Sequence, residues 1–201
     1  MDQSQQSLRS SLAYEPQVLI NVMAGTDQVN SLKQFVQFGL DKQMAVAGTL
    51  FELESLRAVP DAARIGWWTM EWWWDQRNTP HVKEFSAEIK QRTGRAASAR
   101  NWFGYVSVHT LALIANQEKT LDAVKLARAL SGFKLPPEIA LQPGSPEYRA
   151  GDHELMSSVF TGEAHAPKGD PDDMFTIRKV VPGLQVAGSV EGSGCKIAWP
   201  S

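Results

Sequence analysis

The fold is set by the stretch Val18-Leu-Ile-Asn-Val-Met-Ala-Gly-Thr-Asp27, in which an apolar run meets a turn glycine and two polar residues. An apolar run of this length is typical of a buried strand, and Thr and Asp commonly cap a helix that follows. Beyond the turn, apolar residues repeat at helical spacing up to Gly39, namely Val29, Leu32, Phe35 and Val36. A glycine often ends a helix. The stretch therefore predicts a strand followed directly by a helix.

Two more strands follow along the chain. Residues 44–47 read as a second apolar strand that ends at Gly48-Thr49, a short helix is predicted from Glu52 to Val59, and a tryptophan-rich strand comes third. An alternation of strands and helices predicts a parallel sheet with right-handed crossovers. We therefore expect residues 18–24, 44–47 and 65–70 to form neighbouring parallel strands. The loops at Gly25-Thr26 and Gly48-Thr49 then open at the same edge of the sheet.

The third strand carries an unusual density of tryptophan. Five of the eight residues from Trp67 to Trp74 are tryptophan, and in an extended strand they alternate between the two faces. Each buried aromatic ring removes roughly 150–250 Å² from water. Such a run is either a central strand covered on both faces or the wall of an aromatic site, and both interpretations stay open.

The chain then becomes mainly helical. Thr79-Pro80 predicts the start of a helix, and apolar helices are expected over residues 103–115 and 120–130. Residues 160–162 and 174–181 read as the last two strands. The chain has 201 residues and is 43% hydrophobic, which is enough for one domain or two small lobes.

Composition excludes several classes of partner. The formal net charge is −2 and there is no long basic run, which argues against nucleic acid or an anionic membrane surface as the main partner. The apolar runs are too short for a transmembrane segment, and the polar start of the chain does not resemble a signal peptide. The single cysteine, Cys195, has no internal disulfide partner.

No residue pattern predicts catalysis, a metal site or a cofactor. The four histidines are scattered without metal-ligand spacing, and Gly25 and Gly48 are isolated turn glycines rather than a dinucleotide fingerprint. Asp152-His153 could pair a base with its orienting acid only if a pocket joined them to a nucleophile. We therefore predict a protein that is not an enzyme.

The two predicted loops are candidate binding elements. Backbone amides at Gly25 and Gly48, with the hydroxyls of Thr26 and Thr49, could hold a small polar group at the carboxyl ends of the strands. Ordinary helix capping explains the same residues equally well. The sequence leaves both readings open.

Eight short segments are informative when they are taken together in chain order. They are Leu32-Lys-Gln-Phe-Val-Gln-Phe-Gly-Leu40, Trp72-Trp-Trp-Asp75, Phe85-Ser-Ala-Glu-Ile-Lys-Gln-Arg-Thr-Gly94, Gly104-Tyr-Val-Ser107, Tyr148-Arg-Ala-Gly-Asp-His153, Phe160-Thr-Gly162, Val181-Pro-Gly183 and Cys195-Lys-Ile197. In this order they resemble the solute-binding proteins of branched-chain amino-acid-type ABC transporters.

The resemblance implies an α/β fold of the type I periplasmic binding proteins, a parallel sheet with flanking helices in two lobes joined by three crossovers. It covers only the C-terminal half of such a protein, so the N-terminal lobe is expected to be largely missing. Residues 1–74 would then form a second-lobe βαβαβ segment, residues 75–153 helices and short strands of the first lobe, and residues 154–201 the return to the second lobe with the tail. The first-lobe helices would leave apolar faces uncovered near Phe85, Val106, Leu113 and Val124.

The resemblance also implies where a ligand is held. Contacts are expected from the two loops and from aromatic residues, namely Ala24, Gly25, Thr26, Gly48, Thr49, Trp72, Trp74, Trp102 and Tyr105. Amino-acid binders of the family place an acidic residue where this chain has Thr49. An aromatic or other apolar carboxylate is therefore as plausible a ligand as an amino acid.

The sequence thus predicts the substrate-binding component of an ABC importer for amino acids or related small carboxylates. Its partners would be the small-molecule ligand and the ABC permease, with no nucleic acid, no metal and no cofactor, and the full-length protein would be periplasmic. The alternative is a ligand-sensing domain of the same fold in a regulator or receptor.

Overall fold

The computed structural model describes residues 16–199, and within them the chain divides into two compact units. The sheet unit consists of the described residues up to Met70 together with Phe160–Lys179. The helical unit consists of Glu71–Val159 and the described residues from Val180 onward. The chain therefore changes unit after Met70, after Val159 and after Lys179, whereas the sequence suggested boundaries at 74 and 153.

One five-stranded sheet dominates the sheet unit, and its strands lie in the order in which they occur along the chain. The strands β1 and β2 pair in parallel, as do β2 and β3, whereas β3 pairs with β4 in the antiparallel sense. The prediction of three neighbouring parallel strands is therefore confirmed. The strands are β1 (Val18–Asn21), β2 (Ala45–Gly48), β3 (Trp67–Met70), β4 (Val159–Ala164) and β5 (Phe175–Val181).

Helices cover one face of this sheet. The crossovers carry α1 (Gly25–Gln37) and α2 (Leu53–Ala58), with short 3₁₀ turns at Leu40–Lys42 and Asp61–Ala63. The buried side chains of this layer include Leu32, Phe35, Val46, Leu56 and Trp68.

The opposite face of the parallel strands is open in the part of the chain that the structure describes. Val18 is 48% exposed, Ile20 62% and Trp67 51%. These side chains alternate with less exposed ones along β1 and β3, as expected for a sheet covered on a single face. The interpretation of the tryptophan strand as covered on both faces is therefore wrong for residues 16–199.

The tryptophan run is divided between the two units. The strand β3 ends at Met70, so only Trp67 and Trp68 belong to it. Trp68 packs against Phe51, with ring centroids 4.6 Å apart, and donates its indole N–H to the carbonyl of Ile65 at 2.7 Å. The chain enters the helical unit at Glu71, and a single strand through Trp74 is therefore incorrect.

Six helices form most of the helical unit. The two longest differ from their predicted starts: α3 begins at Val82 after His81 in a left-handed conformation, and α4 begins at Ala99 with a capping box between Ser98 and Asn101. The Thr79-Pro80 start is therefore wrong. The helices are α3 (Val82–Thr93), α4 (Ala99–Glu118), α5 (Ala123–Leu130), α6 (Pro137–Ala140), α7 (Gly183–Val186) and α8 (Val190–Ser193).

The helical unit has its own apolar core, in which Phe85 and Val106 are buried. The expectation that these two side chains would lie uncovered is wrong, because Trp72, Trp102 and the segment around Leu141 pack onto them in the same cluster. The exposed apolar residues of α4 are Val108 (66%) and Leu111 (48%) instead. None of the helices within residues 16–199 is long and apolar enough to cross a membrane.

Candidate functional site

The first candidate site lies at the edge of the sheet where β1 and β2 end. Asn21 pairs with Gly48 at the last position of both strands, so the loops that follow open at one edge, as the sequence predicted. The side-chain amide of Gln28, on α1, donates to the carbonyl of Thr49 at 3.2 Å. This bond ties the second loop to the first turns of α1.

The amino end of α1 lies at this edge and carries no side-chain cap among the described residues. The helix begins at Gly25, whose φ of +58° favours glycine, and extended Ala24 is its N-cap. Ala24, Gly25 and Thr26 are all exposed. The first-turn N–H groups lack intrahelical partners and sit at the positive end of the helix dipole, which together favour an anion.

The alternative interpretation, that Thr26 and Thr49 are helix-capping residues, is wrong. Thr26 lies inside α1 rather than before it, and Thr49 lies three residues before Glu52, the N-cap of α2. Asp27 is acidic and lies in the first turn of α1, where its negative charge would oppose a bound anion. The same carboxylate is suited to meet a ligand ammonium group.

A network of buried polar side chains holds the loop between β1 and α1 in place. The Asn21 side-chain carbonyl accepts from the backbone N–H of Met23 at 2.9 Å, and its amide donates to the Ser31 hydroxyl at 2.8 Å. Ser31 in turn donates to the carbonyl of Gln28 at 2.9 Å. The network fixes the path of the chain between β1 and the N-cap of α1. Asn21, Gln28 and Ser31 were not predicted as site residues.

Gln28 holds an unused acceptor next to the second loop. Its side chain is fully buried, and its Oε1 has no hydrogen-bond partner within the described residues. A buried acceptor left unpaired costs about 1–3 kcal/mol. The sequence gives only a weak indication that Gln28 is buried. Gln28 immediately precedes Val29, which belongs to the apolar side of the helix.

Gly48 has a packing role rather than a demonstrated role in binding. A Cβ at this position would lie 2.1 Å from the carbonyl oxygen of Asn21 and 2.5 Å from the Trp68 ring. Glycine is therefore required for β1 and β3 to approach the end of β2.

Two of the predicted aromatic contacts belong to the core of the helical unit. Trp72 is 2% exposed and Trp102 is fully buried. Their indole N–H groups donate to the carbonyls of Leu141 at 2.7 Å and Ala140 at 2.9 Å. Both side chains are satisfied internally, and the prediction that they contact a ligand is corrected accordingly.

The other two predicted aromatic residues are only partly buried. Tyr105 stacks on His109 with ring centroids 4.1 Å apart and donates its hydroxyl to the carbonyl of Glu138 at 3.1 Å. Burial, followed by the negative charges of Glu88 and Glu138, raises the pKa of Tyr105 above its ordinary value. Trp74 lines a cavity in the helical unit.

The enzyme alternative required a nucleophile beside Asp152-His153. The Ser131 hydroxyl does lie 2.6 Å from Nε2 of His153, and both histidine and Asp152 line a second cavity. Asp152, however, accepts from the guanidinium of Arg149, which holds the pKa of the Asp152 carboxyl below its ordinary value. The Asp152 carboxylate is therefore paired with Arg149, and Asp152 and His153 are not arranged as in a catalytic triad.

Comparison with known proteins addresses the fold. The chain covers about half the length of each of three similar solved structures. An amino acid ABC transporter substrate-binding protein from Pseudomonas fluorescens Pf-5 matches with a TM-score of 0.81 and 21% identity, covering 98% of this chain and 52% of that one. No curated protein matches the chain.

The two other structures have the same fold at comparable coverage. A branched chain amino acid ABC transporter periplasmic ligand-binding protein from Burkholderia xenovorans LB400 has a TM-score of 0.78 and 17% identity, over 96% of this chain and 51% of that one. A solute binding protein of an ABC transporter from Rhodopseudomonas palustris BisB5, in complex with 3,4-dihydroxy benzoic acid, has a TM-score of 0.71 and 20% identity, over 90% and 49%.

The family assignment rests on the sequence itself. A model of the family described as periplasmic binding protein matches residues 5–170, which is most of the chain. The mixed sheet with flanking helices agrees with that family. The three solved structures are named as substrate-binding, ligand-binding or solute binding proteins of ABC transporters. The chain belongs to the periplasmic binding protein family.

Proposed function

We propose that this chain forms part of the substrate-binding component of an ABC importer and holds the carboxylate of a small organic acid at the edge of the sheet. The observation that carries the proposal is the uncapped amino end of α1 beside the Thr49 loop, both exposed at one edge. Helix N-termini bind carboxylates through free N–H groups and the helix dipole. The hydroxyls of Thr26 and Thr49 would add neutral donors there.

The ligand class is an amino acid or a related carboxylate, including an aromatic one. Asp27 supports an amino acid, because its carboxylate lies in the same helical turn as the proposed carboxylate site. Thr49 supports an acid without an ammonium group, because it is neutral. The similar structures include proteins named for both kinds of ligand.

The importer assignment brings further proposals with it. The full-length protein would act in the periplasm and deliver its ligand to an ABC permease. Genes for a permease and an ATPase beside the gene for this chain would support transport. A neighbouring regulator gene without them would instead support the ligand-sensing alternative.

The carboxylate site is tested by NMR titration of the labelled chain with leucine and with benzoate. We expect the backbone amide signals of Gly25, Thr26 and Thr49 to shift at millimolar ligand, because the chain spans about half of the similar structures and offers the ligand limited burial. Replacing Thr26 or Thr49 by Val should weaken the response about tenfold or more, the effect of losing a hydrogen bond to a charged group.

Thr93→Val is the matched control. It also replaces a threonine hydroxyl by a methyl group, but Thr93 lies at the end of α3 in the helical unit. The proposal would be contradicted if the amide signals of Gly25, Thr26 and Thr49 did not shift at saturating ligand. So would an equal loss of response in the Thr93 variant.

A further inference from the structure

Gln28 is a polar residue on the buried face of α1. It shares that face with Leu32 and Phe35, about one and two turns further along the helix, and its side chain is fully buried. Its Nε2 donates to the carbonyl of Thr49 at 3.2 Å, whereas its Oε1 has no partner within residues 16–199. Because the side chain is fully buried, it is not itself a ligand contact at the sheet edge.

The stability of the fold does not account for the side-chain amide of Gln28. One neutral hydrogen bond adds little to stability, whereas a buried acceptor without a donor is costly, so the two polar atoms together stabilise the folded chain weakly or not at all. Thr49 is exposed, so its carbonyl can accept from water if the amide is removed. A methionine side chain would fill nearly the same space without an unpaired acceptor. The amide therefore needs an explanation other than stability.

The loop at Thr49 depends on contacts with the surrounding elements. Leu50 has a φ of +53°, a left-handed conformation that is unfavourable for residues other than glycine. The backbone N–H of Thr49 donates to the carbonyl of Asn21, and that of Leu50 to the hydroxyl of Thr69, both at the long distance of 3.4 Å. The bond from Gln28 is shorter than either of these, and it joins the loop to α1.

The backbone of Gln28 is itself held in place by buried hydrogen bonds. The Ser31 hydroxyl donates to the carbonyl of Gln28 at 2.9 Å, and the Asn21 amide donates to Ser31 at 2.8 Å. Asn21 is the last residue of β1. The side chain of Gln28 therefore extends to the Thr49 loop from a point that is fixed relative to β1 and α1.

We infer that Gln28 is a positioning residue, which holds the Thr49 loop at a fixed distance from the amino end of α1 without stabilising the fold. The inference rests on the proposed carboxylate site, in which Thr26 and Thr49 supply the two hydroxyl donors. A site that is assembled before binding loses less conformational freedom when the ligand binds. If the loop leaves this position for part of the time, the apparent affinity falls in proportion.

Gln28→Met separates positioning from stability. Its midpoint of urea denaturation should equal or exceed that of the parent, whereas the Thr49 and Leu50 amides should exchange with water at least about threefold faster. The affinity for leucine or benzoate, from the shifts of the Gly25 and Thr26 amide signals, should fall about three- to tenfold. A lower denaturation midpoint, or unchanged exchange and affinity, would overturn the inference.

Gln34→Met is the matched control. Gln34 lies on the same helix, and its Oε1 is also buried and without a partner in the part of the chain that the structure describes. The substitution should keep or raise the denaturation midpoint and leave both loop exchange and affinity unchanged. An equal loosening of the Thr49 loop in this variant would contradict the role given to Gln28.

Gln28→Glu tests the hydrogen bond to Thr49 in the absence of a ligand. A protonated carboxyl can donate to the Thr49 carbonyl as the amide does, whereas an ionised one has no donor and is repelled by that oxygen. The Thr49 and Leu50 signals should therefore resemble those of the parent in acid and approach those of Gln28→Met as the new carboxyl, followed by its ¹³C signal, ionises. The parent, which keeps Asp27, is the control for other carboxyls. Loop signals that do not respond to this ionisation would overturn the inference.

The positioning role and the carboxylate site fail separately. If the parent chain binds neither leucine nor benzoate, the proposed function is wrong, and the exchange and denaturation data still decide whether Gln28 positions the loop. If the parent binds and Gln28→Met binds equally well, the carboxylate site is supported and the inference is wrong.

Discussion

At the scale of single residues, Gly48 is the most constrained position of the candidate site. Gly48→Ala should destabilise the chain by about 1–3 kcal/mol or more, because the added methyl group meets backbone as well as the Trp68 ring. Urea denaturation measures the change. Gly104→Ala is the control, since nothing in the described residues lies within 4 Å of the new Cβ and alanine is the better helix former. Equal effects of the two changes would contradict the packing argument.

Trp102 is expected to stabilise the fold rather than to hold a ligand. Trp102→Ala should lower the free energy of unfolding by about 3–5 kcal/mol, because it removes a fully buried ring and leaves the Ala140 carbonyl without its indole donor. Trp67→Ala, at a half-exposed position in β3, should cost much less. Denaturation curves of the two variants give the comparison. A smaller loss at Trp102 would argue against its place in the core.

Asp152 is expected to make stability depend on pH. Its pKa is lowered chiefly by the hydrogen bond from Arg149, so the carboxylate form stabilises the folded chain above the ordinary carboxyl pKa. That stabilisation is lost as the pH falls through the lowered pKa. Asp152→Asn should therefore be less stable than the parent at neutral pH, with the gap closing in strong acid. A gap that is constant with pH would exclude this linkage.

Some residues of the candidate sheet-edge site could be proposed from the sequence and others could not, for a physical reason. Gly25, Thr26 and Thr49 could be proposed as site residues because strand ends and turn glycines follow local sequence patterns. Trp72 and Trp102 were misassigned because a tryptophan in a core and one in a binding wall have the same sequence signature. Gln28 was missed because its burial depends on the fold around it.

At the scale of elements, the parallel strands were predictable and their ends were not. Apolar runs separated by helical patterns identified β1, β2 and β3 and their order. The period of two in the tryptophan run continued past Met70, however, whereas the strand stops where the chain leaves the sheet unit. Local alternation contains no information about such a change of unit.

The start of α3 is another boundary that local patterns misplaced. His81, rather than Thr79, precedes the helix, with a φ of 62°. Left-handed backbone costs non-glycine residues roughly 1–2 kcal/mol, and β-branched residues most. His81→Gly should therefore be neutral or stabilising, whereas His81→Val should be destabilising, as thermal denaturation will measure. The same direction of change for both would contradict the backbone geometry.

At the scale of the whole molecule, exposed apolar surface is the main feature of the described chain. In the sheet unit it is contributed by Val18, Ile20 and Trp67, and in the helical unit by Val108 and Leu111. Large patches of this kind favour association. We expect the isolated chain to self-associate with increasing concentration in analytical ultracentrifugation. Ile20→Thr with Trp67→Thr should reduce the association, and a parent chain that stays monomeric at all concentrations would contradict it.

The antiparallel pairing of Trp67 with Glu163 has a consequence for synthesis on the ribosome. The partner strand of β3 emerges only after the whole intervening segment of the helical unit has been made. Until then β3 is an edge strand with unpaired backbone amides and one tryptophan on each face. Other nascent chains can pair with such an edge. Slow translation before codon 159 should therefore increase misassembly, whereas slow translation after β4 should not.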